Sequence, residues 1–202
     1  MSLKSENNCG GPRFYEDDYT WNEGDPLVRH RQLWSVGSTS GGKYVSVKTA
    51  DMENQLQCTV TATGEEDSQS DVVKIKCVKL VDPDEIAKTV QSWFYLKFSD
   101  GENDWTVTAS KRPGEGVTAS KLTTTGGTPF RFMSLFSPND SYLVLKSDKK
   151  NDEGDPLYLS SNGAGKMKLK VWNSPAPGPP RTSDEVDPAL LFRLVLPLGA
   201  KK

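Results

Sequence analysis

His30 is the one imidazole in a chain of 202 residues, and it lies between Arg29 and Arg31 ahead of a strand-like run. A lone histidine excludes multi-histidine zinc sites and leaves a single candidate for the imidazole base that most nucleophilic hydrolases use. Two flanking arginines and a strand immediately downstream do not make a base-and-nucleophile site, so the expectation is that the chain is not an enzyme. Cys9, Cys58 and Cys77 are odd in number, lack any C-x-x-C spacing and are too few for a disulfide scaffold, which fits synthesis in a reducing compartment. Cys58 and Cys77 sit inside strand-like runs, where free cysteine behaves as a small buried hydrophobe, and a Cys58–Cys77 bridge stays open. There is no G-x-S-x-G, no phosphate-binding glycine loop and no dinucleotide fingerprint. Gly41-Gly42 and Gly126-Gly127 precede strands rather than helices and read as turns. No metal and no cofactor is expected.

Composition narrows the classes further. Hydrophobic residues make up 35% of the chain, enough for one ordinary core, so one domain is expected. With 25 Lys+Arg against 27 Asp+Glu the net charge is −2, and no overall basic field draws the protein onto nucleic acid or an anionic membrane. The longest apolar run, Ala189-Leu190-Leu191-Phe192, falls far short of the roughly 20 residues that span a bilayer, so no membrane insertion is expected. The start, Met1-Ser2-Leu3-Lys4-Ser5-Glu6, has no apolar segment after its first charge. Cytoplasmic synthesis without a secretory signal peptide is the expectation, with any export unconventional.

Short runs rich in Val, Thr, Tyr, Phe and Trp alternate with Gly, Asp, Asn, Ser and Pro, the pattern of an all-β sandwich or barrel. About twelve strands are predicted: 32–36, 42–49, 56–63, 72–78, 93–99, 104–111, 121–124, 129–136, 142–147, 157–161, 167–172 and 190–196. Their order repeats. Tyr44, Tyr95 and Tyr142 each precede an aliphatic residue, Thr-Val-Thr-Ala occurs at 59–62 and again at 106–109, and three apolar-charged strands close the units at 73–78, 129–133 and 191–195. Three four-strand units are too few for a propeller and fit a β-trefoil, in which no unit buries its apolar face without the others. The units run over about 28–81, 93–133 and 134–197 of a domain at 27–198, preceded by an acidic arm at 1–26 that is partly disordered or packed on the surface. Asp82 to Trp93 carries the capping pattern of a short helix, and Asn173 to Pro180 is an irregular proline-rich loop.

At the third unit a family resemblance appears. Phe132-Met133-Ser134-Leu135-Phe136-Ser137-Pro138, followed by Tyr142-Leu143, resembles the Phe-x-Ser-aliphatic, Pro and aromatic-aliphatic segment of the interleukin-1 cytokines, leaderless β-trefoils. Asp155-Pro156-Leu157-Tyr158-Leu159 and Pro188 to Leu194 are similar to the strands that follow it, while Val144-Leu145 departs from the family pattern. Asp51 to Gln55 and Gly64 to Ser68 resemble two loops of the family. The resemblance implies an extracellular, monomeric signalling ligand that binds cell-surface receptors with immunoglobulin-like ectodomains. It implies receptor contacts at Asp51, Glu53, Glu65, Glu66 and Asp67, with Lys149, Lys150 and Asn151 in the third unit's turn. The same residues also read as solvated turns.

Three other functions compete. A trefoil protease inhibitor would act through an exposed loop, either Lys111-Arg112-Pro113-Gly114 or 174–180. A sugar-binding trefoil would repeat Gln-x-Trp near the end of each unit, and although Gln91-Ser92-Trp93 fits the letter of it, three such repeats are not present. A polyanion-binding surface would need a basic cluster, and Lys166, Lys168 and Lys170, alternating on one strand, read as a solvated edge.

Overall fold

The computed structural model describes residues 14–15, 32–39, 43–48, 52, 55–65, 76–79, 93–99, 102–112, 114–121, 126–135, 142–172 and 185–195. Among them are fourteen short strands, all in antiparallel pairings: β1 (Phe14–Tyr15), β2 (Gln32–Ser35), β3 (Tyr44–Ser46), β4 (Gln57–Thr59), β5 (Thr61–Gly64), β6 (Lys76–Lys79), β7 (Phe94–Ser99), β8 (Asp104–Ala109), β9 (Val117–Ser120), β10 (Pro129–Leu135), β11 (Tyr142–Lys150), β12 (Pro156–Ser161), β13 (Met167–Val171) and β14 (Phe192–Val195). The protein is all-β. The excess over twelve has two sources. The predicted 56–63 run divides at Val60 into β4 and β5, and the acidic arm contributes β1, which pairs Phe14 with Leu135 and Tyr15 with Ser134. The third strand of the second unit is Val117–Ser120, ahead of the predicted 121–124. The predicted helix up to Ser92, the proline-rich loop, His30 and Cys9 lie outside the described residues.

One pairing scheme recurs. In the second unit β7 pairs with β8, β8 with β9 and β7 with β10; in the third, β11 pairs with β12, β12 with β13 and β11 with β14. In the first, β2 pairs with β3 and β3 with β5. Closing strands also join the units, β6 to β7, β10 to β11 and β14 to β2. A β2–β6 pairing is not among those described, so the sheet is open there.

The register repeats as well. Leu33, Leu96 and Leu145 lie opposite Leu194, Cys77 and Phe132, each on the closing strand of the preceding unit. All three leucines are buried and share one core with Phe98, Trp105, Phe130, Leu159, Met167 and Phe192. Alternation accounts for this: in β8, Trp105, Val107 and Ala109 face inward, and in β9 Val117 and Ala119 do. Each fully buried aliphatic side chain contributes about 1.5–3 kcal/mol relative to exposure. In β11 the residues Leu143, Val144 and Leu145 are buried in succession because both faces are covered. Leu145 faces the main core, while Val144 joins Tyr158, Val186, Leu190 and Leu191 in a second cluster on the outer wall, flanked by Val36, Tyr142 and Trp172.

Two details depart from the sequence expectation. Arg131 and Arg193 follow the equivalent phenylalanines Phe130 and Phe192, and their ring partners are Trp93 and Tyr142. Trp93, not Tyr95, therefore takes the place that Tyr142 holds, and Tyr95 is equivalent to Val144. Tyr44 lies in β3, the second strand of its unit, and the Cys58 run supplies the third strand rather than the second. Cys58 itself is buried, and its Sγ donates to the Ala119 carbonyl at 3.6 Å.

No helix among the described residues is long and apolar enough to cross a membrane.

Candidate functional site

Lys149, Lys150 and Asn151 come together where β11 turns into β12. The β11–β12 register shifts between Lys146 and Lys150, a local bulge that frees backbone groups from the ladder. Ser147 fills the gap: its buried hydroxyl donates to the Leu157 carbonyl at 2.8 Å and accepts from the Lys149 amide at 3.2 Å. Lys149 is half-buried and Lys150 exposed. Burial raises the Asp148 carboxyl above its usual range, against the charge of Lys149 and the residue's own backbone amide.

Asn151 has a structural task. Its amide oxygen accepts from the Asp155 amide at 2.6 Å and its Nδ2 donates to Asp155 Oδ2 at 3.1 Å. Its backbone N–H donates to Asp155 O at 3.0 Å, and Gly154, at φ +90°, donates to Asn151 O at 3.1 Å. The next hairpin repeats this turn. Asn162 accepts from the Lys166 amide through its side chain at 2.8 Å and donates to Lys166 O at 3.0 Å, while Gly165, at φ +76°, donates to Asn162 O at 2.8 Å. Both turns follow from the sequence pattern Asn-x-x-Gly: the asparagine supplies a local acceptor and the glycine the left-handed backbone. That spacing is visible in the sequence and identifies Asn151 as a clamp that positions Lys150.

The neighbouring turn, between β8 and β9, is tied to this one. Lys111 Nζ meets Asp152 Oδ1 at 3.0 Å, joining the second and third units at their surface. Ser110 Oγ accepts from the Arg112 amide at 3.1 Å, and the Arg112 carbonyl accepts from Glu115 N at 3.3 Å. The Arg112 guanidinium, 80% exposed, lies 3.6 Å from Glu115. Exposed pairs of this kind stabilise by under about 1 kcal/mol, so they orient the turns more than they hold the fold.

Of the acidic residues, Glu65 is exposed and follows β5 on a different hairpin. Asp51, Glu53, Glu66 and Asp67 lie outside the described residues. Met52, between two of them, is buried at 2% exposure, whereas Leu56 is 62% exposed. Sequence reasoning placed Leu56 inside a strand; only its carbonyl serves the sheet, accepting from Lys121 N and Ser120 Oγ.

Past the proline-rich loop, Asp187 caps a single 3-10 turn at Pro188–Leu190 and receives a hydrogen bond from Lys170. That bond, and then the Ala189 amide, hold the Asp187 carboxyl below its usual range against a partial burial that raises it. Comparison with protein-family models, with curated proteins and with solved structures gives no match.

Proposed function

We propose that the chain is a β-trefoil signalling ligand, similar to interleukin-1, that acts outside the cell by binding immunoglobulin-like receptor domains through its turns. The observation that carries this reading is the repeated register that puts Leu33, Leu96 and Leu145 into one shared core. A core filled by equivalent residues of three units leaves the turns and the outer wall as the surfaces for recognition. The trefoil itself requires the remaining β2–β6 contact, which would close the six barrel strands. Asp51, Glu53, Glu65, Glu66, Asp67, Lys149 and Lys150 are the proposed receptor contacts, with Asn151 holding the turn.

The test is binding of the whole chain to a panel of interleukin-1-type receptor ectodomains. A Lys149→Ala/Lys150→Ala variant should lose at least about 1.4 kcal/mol, a factor of ten, if these lysines are central contacts. Absence of binding to every ectodomain overturns the reading.

The exposure of Arg112, on a turn braced by Lys111 and Asp152, favours a second reading, a protease inhibitor acting through Lys111 to Gly114. Stoichiometric inhibition of a protease that cleaves after basic residues, lost in Arg112→Ala, would select it.

A further inference from the structure

We infer that the outer face of β13 is a binding surface for a linear sulfated polysaccharide, independently of any receptor. From Pro156 to Ser183 the sequence carries no Asp or Glu, so the β12–β13 hairpin is a purely cationic stretch in a chain of net charge −2. Lys166, Lys168 and Lys170 are exposed, and they alternate with Met167 and Leu169, which turn toward the core. Several other cations are engaged: Lys43 lies 4.8 Å from the Trp34 ring, Lys121 4.8 Å from Trp105, Arg131 4.5 Å from Trp93 and Lys111 3.0 Å from Asp152. Lys170 is held by Asp187. Among the described residues neither Lys166 nor Lys168 has a carboxylate or ring partner.

Cross-strand register adds charge to the same face. Lys170 is opposite Tyr158, Tyr158 opposite Lys146 and Lys146 opposite Arg131, a row across four strands. The Tyr158 hydroxyl feels this row: burial raises its pKa and the Arg131 charge works against the rise. Alternate residues of a strand repeat every ~6.7 Å, so the lysines form a line of point charges along a sheet face. A linear polymer carrying regularly spaced anions matches that line. Nucleic acid fits less well, because single strands are gripped by stacking on open rings. Here Tyr158 is 5% exposed and Trp172 meets it edge-on, with ring centres 5.8 Å apart at 84°. Lysine on an edge strand also discourages sheet-to-sheet pairing, a role that needs no ligand.

Binding of the whole chain to heparin across a salt series separates these roles. The slope of log affinity against log salt should fall by about one in Lys166→Gln or Lys168→Gln and by about two in the double variant. Lys149→Gln/Lys150→Gln should keep the parental slope. A double variant that binds heparin like the parent overturns the inference, as does tighter binding to a single-stranded oligonucleotide than to heparin. Receptor binding of the same double variant is a separate readout, so this inference and the receptor reading fail independently.

Discussion

Arg193 and Tyr142 face each other across β14 and β11, and the guanidinium lies 5.1 Å from the ring centre. Arg131 stands in the same relation to Trp93, at 4.5 Å. The closing strand of each of these two units thus places a cation on an aromatic at the start of that unit's first strand. A double-mutant cycle with Arg193→Ala and Tyr142→Leu should give a coupling of about 0.5–1 kcal/mol, measured by denaturant unfolding. A coupling of zero would mean that the ring merely packs against the arginine stem.

Equivalence of the three core leucines makes a sharper statement about energy. Leu33→Ala, Leu96→Ala and Leu145→Ala should each destabilise by about 2–5 kcal/mol, because the cavity opens where three units meet. Leu56→Ala, at an exposed site, should stay within about 0.5 kcal/mol of the parent. Urea midpoints of the four variants check both statements, and a near-neutral member of the leucine set would break the equivalence.

Asp187 predicts an acid limit. Its folded pKa is depressed, chiefly by the hydrogen bond from Lys170, so its stabilisation is present above the unfolded carboxyl value of about 3.9 and is lost as pH falls through the folded value. Asp187→Asn should flatten the acid side of the stability profile and leave Lys170 unpaired. Thermal melts between about pH 2 and 7 measure this, and an unchanged profile would show that the contact does not act on the folding equilibrium.

The two Asn-x-x-Gly turns separate backbone strain from crowding. A Cβ on Gly154 meets nothing within 4 Å, so Gly154→Ala faces only the positive φ of 90°. At Gly165 a Cβ would sit 2.5 Å from Thr63 Cγ2 and 2.8 Å from Ala62 O, with φ at +76°. Gly154→Ala should cost about 1–2 kcal/mol and Gly165→Ala clearly more, a difference that calorimetric melting temperatures will reveal. Equal losses would mean that the chain yields around Gly165.

Much of the strand pattern is legible in the sequence because the sheet obeys a period of two. The closing strands at 73–78, 129–133 and 191–195 are found as β6, β10 and β14. The same period hides the register. Aligning Tyr95 with Tyr142 is wrong by two residues, and a shift of two preserves which side chains face inward, so alternation cannot detect it. The segments 121–124 and Val117–Ser120 hold two β-branched residues each, so propensity does not separate them; the pairing of Ala119 with Val107 and Val117 with Ala109 does. Of the proposed contacts, Lys150 and Glu65 are exposed as their turn-like surroundings suggest, whereas Asn151 is engaged within its own turn. Its task follows from a four-residue spacing rather than from charge.

The seam between β14 and β2 joins residues 192–195 to residues 32–35. During synthesis the first unit therefore waits, with Leu33 lacking its neighbour across the seam, until residues 192–195 have left the ribosome. Nascent chains halted short of Phe192 should remain clients of chaperones, and maturation should finish abruptly rather than in stages.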